Sequence, residues 1–203
     1  MGKIVLATII ISGSAKWLLK VGGNKEKWYG SDRIFMYVMT VFGAMTVNYS
    51  EQCTEYGWVV SNLRLLAGCL LAGGLLSAAY MDRRNCWVYN YVWWWCLPWA
   101  GILGMTAGGG FHGIVAVLVF VMLQQLLFSR MYGKADCHAF SVCALAECGN
   151  AVGMVGFLLQ MFLSVVLLTI VQLFRGNVTP RGRLREPQPF IPYIITAFFS
   201  VTF

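Results

Sequence analysis

The sequence predicts an all-α membrane protein, a polytopic bundle of about eight transmembrane helices. Of its 203 residues, 59% are hydrophobic and only 11% are charged, whereas about 25% of the residues in a typical soluble domain are charged. Several apolar runs approach the roughly 20 residues that cross the hydrocarbon of a bilayer. The strand alternation that an outer-membrane barrel requires is absent from the pattern. Together these observations favour membrane helices over a soluble domain or a barrel.

Eight apolar segments follow one another along the chain. The first, at roughly 4–20, is interrupted by two serines and Lys16, so it is typical of a signal anchor or an interfacial helix as much as of a full span. The short sixth segment contains Glu147, which is a candidate functional residue because acids are rare in membrane helices. A structural role for Glu147 in the bundle is favoured. The segment itself is expected only to dip into the bilayer. The segments are 4–20, 34–49, 58–80, 87–106, 111–129, 138–152, 154–174 and 189–203.

Basic residues gather at four of the connections between these segments. The connections at 48–57, 107–112 and 149–153 contain no Lys or Arg. Since cytoplasmic loops of membrane proteins collect Lys and Arg, the alternation predicts eight crossings with both termini outside. The net charge of +7 therefore requires no nucleic-acid partner. The clustered residues are Lys16, Lys20, Lys25, Lys27 and Arg33; Arg83 and Arg84; Arg130 and Lys134; and Arg175, Arg181, Arg183 and Arg185.

Two aspartates stand where apolar runs end. Asp82 follows the third run and Asp136 the fifth. Two spans of about 20 residues each use most of the chain between them, so both carboxylates are expected at the same, cytoplasmic face. Asp32, the remaining aspartate, is expected in a polar loop. Two carboxylates in a partly dry place share a proton, so one can activate water while the other hydrogen-bonds a substrate carbonyl. Gly133 would permit a tight turn and a close approach of substrate.

On topology alone, a structural role for the same aspartates is supported as well as a catalytic one. Asp82 adjoins Arg83 and Arg84 and can form an ordinary ion pair at the membrane edge. Asp136 can cap the helix that follows it, which is a favourable place for a carboxylate. Charges at the membrane edge also cost less than charges at its centre.

Three short segments stand in order along the last two thirds of the chain. They are "AAYMDRRNCWVYN" at 78–90, "GKAD" at 133–136 and "PFIPY" at 189–193. They resemble the type IV prepilin peptidases, a family of membrane aspartyl proteases. The second resembles the family's Gly-x-Gly-Asp motif with Ala135 at the second glycine. The first resembles the segment in which Asp is followed by basic residues and Ile-Pro-Asn, where Asn90 fits and Tyr89 replaces the proline. The third resembles the family's Pro-Phe-x-Pro segment.

This resemblance implies an integral membrane aspartyl endopeptidase of the inner, cytoplasmic membrane. It would remove the short basic leader from prepilin-like precursors, in type IV pilus assembly or protein secretion, with membrane lipids around it and no cofactor. The catalytic pair would be Asp82 and Asp136. The implied organisation is a pair of N-terminal membrane helices with a short cytoplasmic loop at 1–57 and an aspartyl peptidase-like core at 58–203. The residues implied on the path of the substrate are Gly133, Ala135, Asn90, Pro189 and Pro192.

The chain departs from the family pattern in two places. Many relatives carry a cytoplasmic loop with two CxxC pairs, linked to zinc and to N-methylation of the product, whereas the loop at 20–33 contains no cysteine. The seven cysteines form no CxxC pair anywhere, so no metal is predicted. The family usually has Val-Lys after the second aspartate, where this chain has Cys137 and His138. His138 is expected at the surface near lipid headgroups.

Two alternatives remain open at this stage. The protein can be a non-enzymatic helical membrane protein, such as a small transporter or an assembly factor, with the aspartates in structural roles. It can also be a presenilin-type intramembrane protease. Presenilin-type proteases share the Gly-x-Gly-Asp motif but carry a Pro-Ala-Leu motif near the C-terminus, where this chain has Pro-Phe-Ile-Pro.

Overall fold

The computed structural model describes residues 2–22, 30–52, 57–107, 111–130, 133–148, 153–176 and 188–202. Within those ranges every regular element is helical, which confirms the all-α class. The basic residues Lys25, Lys27, Arg181, Arg183 and Arg185 lie outside the described ranges, as do the predicted segment ends at 152 and 203. The helices are α1 (Gly2–Val21), α2 (Gly30–Gln52), α3 (Trp58–Asn85), α4 (Asn90–Thr106), α5 (Phe111–Leu126), α6 (Lys134–Glu147), α7 (Gly153–Phe174) and α8 (Ile191–Thr202), with a short 3-10 helix at Phe128–Arg130.

Each predicted apolar segment coincides with one of these helices, but polar residues extend several of them. α3 continues five residues past the predicted end at 80, because basic residues in the last turn of a helix are stabilised by the helix dipole. α6 starts at Lys134 instead of 138, because the chain around Gly133 caps it ahead of the apolar stretch. The prediction that Asp32 lies in a loop was wrong. Asp32 is in the first turn of α2, where the dipole favours an acid, and it is buried.

Among the described residues, three helices are long and apolar enough to cross a membrane. They are Gly2–Val21, Trp58–Asn85 and Val155–Phe174. α6 has 14 residues, a length of about 21 Å, which falls short of the roughly 30 Å of hydrocarbon in a bilayer. Large apolar side chains lie exposed on the outside of α7, among them Val155 and Phe174. These features indicate a membrane protein, and the number of eight crossings stays a prediction.

α3 is the central helix of the bundle. It contacts α1, α2, α4 and α8, and its side chains are buried continuously from 71 to 82. Small residues let the neighbours approach: a Cβ added to Gly73 would overlap Ser14 and lie 2.9 Å from the carbonyl oxygen of Ile11. The hydroxyl oxygen of Ser77 lies 2.9 Å from the carbonyl oxygen of Gly73 in its own helix and 3.2 Å from that of Ala15 in α1, and its one proton is shared between these two acceptors. Close packing of this kind is typical of membrane helices, and it fixes the end of α3 that carries Asp82.

Candidate active site

Asp82 lies in the last turn of α3, with only 6% of its surface exposed. The helix ends just beyond it, where Cys86 adopts a left-handed conformation (φ 50°) and its N–H donates to the carbonyl of Asp82 at 2.9 Å. The Oδ2 atom of Asp82 accepts a hydrogen bond from the backbone N–H of Ile191 at 3.0 Å. Ile191 begins α8, and the first N–H groups of a helix have no partner within it. The carboxylate therefore satisfies a buried helix N-terminus, where negative charge is favoured.

The segment that reaches Asp82 is the predicted Pro-Phe-Ile-Pro stretch at 189–192. Pro192 stands in the first turn of α8, where its missing N–H costs nothing because that position lacks an intrahelical partner. Phe190 is buried, and its ring packs edge-on against Phe140 of α6 with centroids 5.8 Å apart. This stretch therefore links the end of α3 to both α8 and α6.

Asp136 is the third residue of α6. Its Oδ2 atom accepts a hydrogen bond from the backbone N–H of Gly133 at 3.2 Å, an arrangement that closes the start of the helix. The expectation that Gly133 is needed for a tight turn was wrong. Its backbone angles are φ −63° and ψ 153°, which any residue adopts. A Cβ at this position would lie 3.2 Å from the Oδ2 atom of Asp136, so the glycine leaves space beside the carboxylate.

The two carboxylates influence each other. Asp136 is half-buried. Burial, followed by the negative charge of Asp82, raises the pKa of Asp136 to about 7, and the hydrogen bond from Gly133 opposes this increase. The two aspartates, 54 positions apart in the sequence, therefore lie close enough for the charge of Asp82 to act on Asp136. Because its pKa is about 7, Asp136 is partly protonated at neutral pH.

The neighbouring arginines make contacts with α2. The Nε atom of Arg84 lies 3.5 Å from the Oδ2 atom of Asp32, and the guanidinium of Arg83 lies 4.8 Å from the centroid of the Phe35 ring. The hydrogen bond of Asp82, in contrast, is to α8. Arg84 thus pairs with Asp32 of α2, although Asp82 is its nearer acid in the sequence.

A cavity of about 290 Å³ lies beside the segment at 189–192. It lies between α2, α3, α7 and α8. Pro189 and Pro192, both implied on the path of the substrate, are part of its wall, and Arg83 and Arg175 add two positive charges. Pro189 and Pro192 flank the backbone that binds Asp82, so the cavity lies beside that backbone, although neither aspartate forms part of its wall.

Two other residues implied on the path of the substrate, Ala135 and Asn90, do not line this cavity. Ala135 is half-buried and packs against the hydrophobic core. Asn90 begins α4 with its side chain exposed, and within the described ranges it forms no hydrogen bond. The structure therefore brings Gly133, Pro189 and Pro192 to the carboxylates or the adjoining cavity, and it gives Asn90 no contact with them.

His138 was expected at the surface, and that expectation was wrong. It is half-buried in α6, its Nδ1 atom lies 3.3 Å from the Nε2 atom of Gln125, and its ring lies 6.1 Å from Trp93. The signal in the sequence was the pair of glutamines in apolar α5, because amide side chains in membrane helices bond across to neighbouring helices. Gln124 likewise reaches the sulfur of Met161 in α7 at 3.9 Å.

Glu147 lies at the opposite end of α6 from Asp136. Eleven residues separate them, a distance of about 16 Å along the helix, and Glu147 is only 3% exposed. Its neighbourhood is tightly packed, because a Cβ at Gly113 would come within 2.7 Å of the carbonyl oxygen of Cys148. Glu147 is therefore remote from the pair of aspartates.

The chemistry of the site rests on these two carboxylates. In the part of the chain that the structure describes, no three His, Cys, Asp or Glu side chains come together as a metal-binding cluster. No protein-family model matches the sequence, and neither a curated protein nor a solved structure matches the chain. The likeness to type IV prepilin peptidases accordingly rests on three short segments, two of which supply the aspartates and the third the amide bound to Asp82.

Proposed function

We propose that the protein is an integral membrane aspartyl endopeptidase, similar to type IV prepilin peptidases, that removes the short basic leader of prepilin-like precursors. The observation that carries this proposal is the coupling of Asp82 and Asp136, through which the charge of one raises the pKa of the other. Each carboxylate is also held by the N-terminus of a helix, Asp82 by α8 and Asp136 by α6. Buried, interacting acids of this kind are typical of catalytic sites.

The pair divides the chemistry between its members. Because the pKa of Asp136 is raised to about 7, Asp136 carries the shared proton and hydrogen-bonds the carbonyl oxygen of the scissile peptide. Asp82 stays ionised, stabilised by the N–H of Ile191, and takes a proton from water. The water oxygen bonds to the carbonyl carbon, the carbon–nitrogen bond then breaks, and the leaving amine receives the proton. Each carboxylate returns to its starting state after one cycle.

The site suits a substrate that is itself anchored in the membrane. α3 is a candidate span, and Asp82 lies in its last turn, near the membrane edge. The precursor's hydrophobic helix lies in the bilayer, and the scissile bond reaches the carboxylates through the cavity beside Pro189 and Pro192. The basic connections favour a cytoplasmic location for this end of the bundle, and we infer an eight-pass protein of the cytoplasmic membrane. Anionic lipids, and not the basic protein face, recruit the basic leader.

Co-expression with candidate pilin-like precursors tests the proposal. The expected result is the mobility shift of leader removal with the unaltered protein and no shift with Asp136→Asn. A chelator is expected to leave cleavage intact, since no zinc takes part. Cysteine labelling at 84–86 and 131–134 is expected to report the cytoplasm at both places. Labelling from opposite sides would end the protease proposal, because the carboxylates could not meet.

The site of cleavage separates the two kinds of membrane aspartyl protease. Mass spectrometry of the product gives the bond that is cut. A cut ahead of the precursor's hydrophobic helix supports a leader peptidase, and a cut within that helix indicates a presenilin-type protease. A folded protein that processes no precursor, and whose Asp82→Asn variant unfolds, would favour a transporter or an assembly factor with structural aspartates.

A further inference from the structure

A groove of about 260 Å³ lies between α1 and α2, away from the aspartates. One wall comes from α1 and the other from α2. Because α1 is a candidate membrane span and several apolar side chains beside the groove are exposed, including Tyr37 and Val41, the groove opens towards the bilayer. The lining includes Thr8, Ser12 and Lys16 of α1 and Arg33, Met36 and Val41 of α2.

One end of the groove carries two positive charges. Lys16 lies near the end of α1 and Arg33 near the start of α2, and both side chains are exposed. Within the described ranges, neither forms an ion pair. The closest acid in sequence, Asp32, is paired with Arg84 at 3.5 Å. Two cations at one mouth that have no ion-pair partner among the described residues favour an anionic ligand.

The rest of the groove is apolar in character. The hydroxyls of Thr8 and Thr40 donate to carbonyl groups of their own helices at 2.8 and 2.6 Å, so they need no further partner. Eight residues separate Lys16 from Thr8, and eight separate Arg33 from Val41, which corresponds to about 12 Å of helix on each side. A small anion would occupy only the charged end, whereas a hydrocarbon chain would fill the remainder.

We propose that this groove binds one anionic phospholipid, with its phosphate between Lys16 and Arg33 and an acyl chain lying towards Thr8 and Val41. Basic pockets between membrane helices are known to bind anionic headgroups, and long basic side chains reach from an apolar surface to the headgroup level. Arg33 adjoins Asp32, whose partner Arg84 is two residues from Asp82. The phosphate therefore lies at the same end of the bundle as the aspartates. This assignment does not depend on the proposed protease activity.

Native mass spectrometry of the full-length protein in detergent, after incubation with phosphatidylglycerol or phosphatidylcholine, tests this assignment. We expect one retained phosphatidylglycerol per chain and weaker retention of phosphatidylcholine. The double variant Lys16→Gln/Arg33→Gln is expected to bind phosphatidylglycerol about 25-fold more weakly, roughly fivefold for each cation lost. Lys20→Gln is the matched control, because Lys20 is an exposed cation at the same end of α1 but does not line the groove, and it is expected to retain the lipid.

A second variant tests the apolar part of the groove. Val41→Phe narrows the groove without changing its charge and is expected to weaken retention of phosphatidylglycerol, so the assignment stays testable if the double variant fails to fold. Equal retention by Val41→Phe and the unaltered protein would overturn the acyl-chain placement. Equal retention by the folded double variant, or equal affinity for phosphatidylcholine, would overturn the headgroup placement. Displacement of the lipid by millimolar inorganic phosphate would show a simple anion site and overturn the lipid assignment.

Discussion

The two ends of α6 each carry one carboxylate side chain, Asp136 in the first turn and Glu147 in the last. Asp136 is half-buried, accepts the N–H of Gly133, and has a raised pKa because of burial and the charge of Asp82. Glu147 is almost fully buried at the carbonyl end of the helix, where the dipole disfavours negative charge. The comparison teaches that an acid in an apolar helix becomes a candidate for chemistry when it has a partner carboxylate and an accessible side, and burial alone does not suffice.

The largest expected effect comes from removing either member of the pair. Asp82→Asn and Asp136→Asn should each lower cleavage of a pilin-like precursor by about 10²–10⁴-fold or more, because a general base contributes that much and the shared proton needs both carboxylates. The double variant should be little slower than either single one, since the two act as a unit. Rates of processing in membranes, together with thermal stability in detergent, provide the measurement.

The stability measurement decides between the chemical and structural interpretations. At the membrane edge a neutral amide is no harder to accommodate than a carboxylate, so both variants should fold. Full activity of either variant would exclude the shared-proton mechanism. Unfolding of both variants would support purely structural roles, with Asp82 as the partner of the N-terminus of α8 and Asp136 as a helix cap.

A second effect is expected from pH. Because the pKa of Asp136 is raised to about 7, cleavage should fall about tenfold for each pH unit above 7, as the shared proton is lost. The raised pKa of Asp136 also makes the stability of the protein depend on pH. The folded chain holds this proton up to about pH 7, whereas a free carboxyl releases it near 3.8, so the folded state binds more protons in between. The free energy of unfolding should therefore decrease as pH rises from about 4 to 7.

The Asp136→Asn variant is the control for that dependence. It removes the titrating group, so its thermal stability should change less with pH over this range than that of the unaltered protein. Cleavage that stays constant from pH 6 to pH 9 would show that the rate does not depend on a proton with a pKa near 7.

The sequence was sufficient to predict which segments are helical, and the two aspartates that it singled out lie within electrostatic range of each other. Hydrophobic run lengths define the helices, and the two spans between Asp82 and Asp136 determine that these side chains return to one end of the bundle. These features depend on local composition and on helix length, which are readable from one chain. The resemblance also singled out the Pro189–Pro192 segment, but as part of the path of the substrate; that its backbone binds Asp82 is visible only in the structure.

Other features depend on side-chain packing, which a single sequence does not encode directly. Arg84, at the end of α3, pairs with Asp32 of α2, and these two residues are far apart in the sequence. His138 is half-buried because Gln125 and Trp93 flank it. Gly133 was expected to permit a tight turn and a close approach of substrate. Its φ of −63° requires no glycine, whereas its missing Cβ leaves space beside the carboxylate of Asp136.

A smaller effect is expected from filling that space. Gly133→Val introduces a Cβ 3.2 Å from the Oδ2 atom of Asp136, so the carboxylate must shift by a few tenths of an ångström. Since misplacement of a catalytic group by about 1 Å can cost 10²-fold, we expect roughly a fivefold loss of cleavage. Gly13→Val is the matched control, because a Cβ at Gly13 meets nothing within 4 Å. Equal rates for both variants and the unaltered protein would show that the carboxylate has room to move.

The smallest effect on cleavage is expected at the other end of α6. Glu147→Gln keeps the size of the side chain and lies about 16 Å along the helix from Asp136, so precursor processing should change by less than about twofold. Glu147→Ala, in contrast, removes buried atoms and should lower the free energy of unfolding by about 1–3 kcal/mol, with unchanged cleavage by the protein that remains folded. Thermal stability in detergent and processing rates, measured on the same preparations, separate these effects. A hundredfold loss of cleavage in Glu147→Gln at unchanged stability would place Glu147 in the reaction and remove the distinction between the two ends of α6.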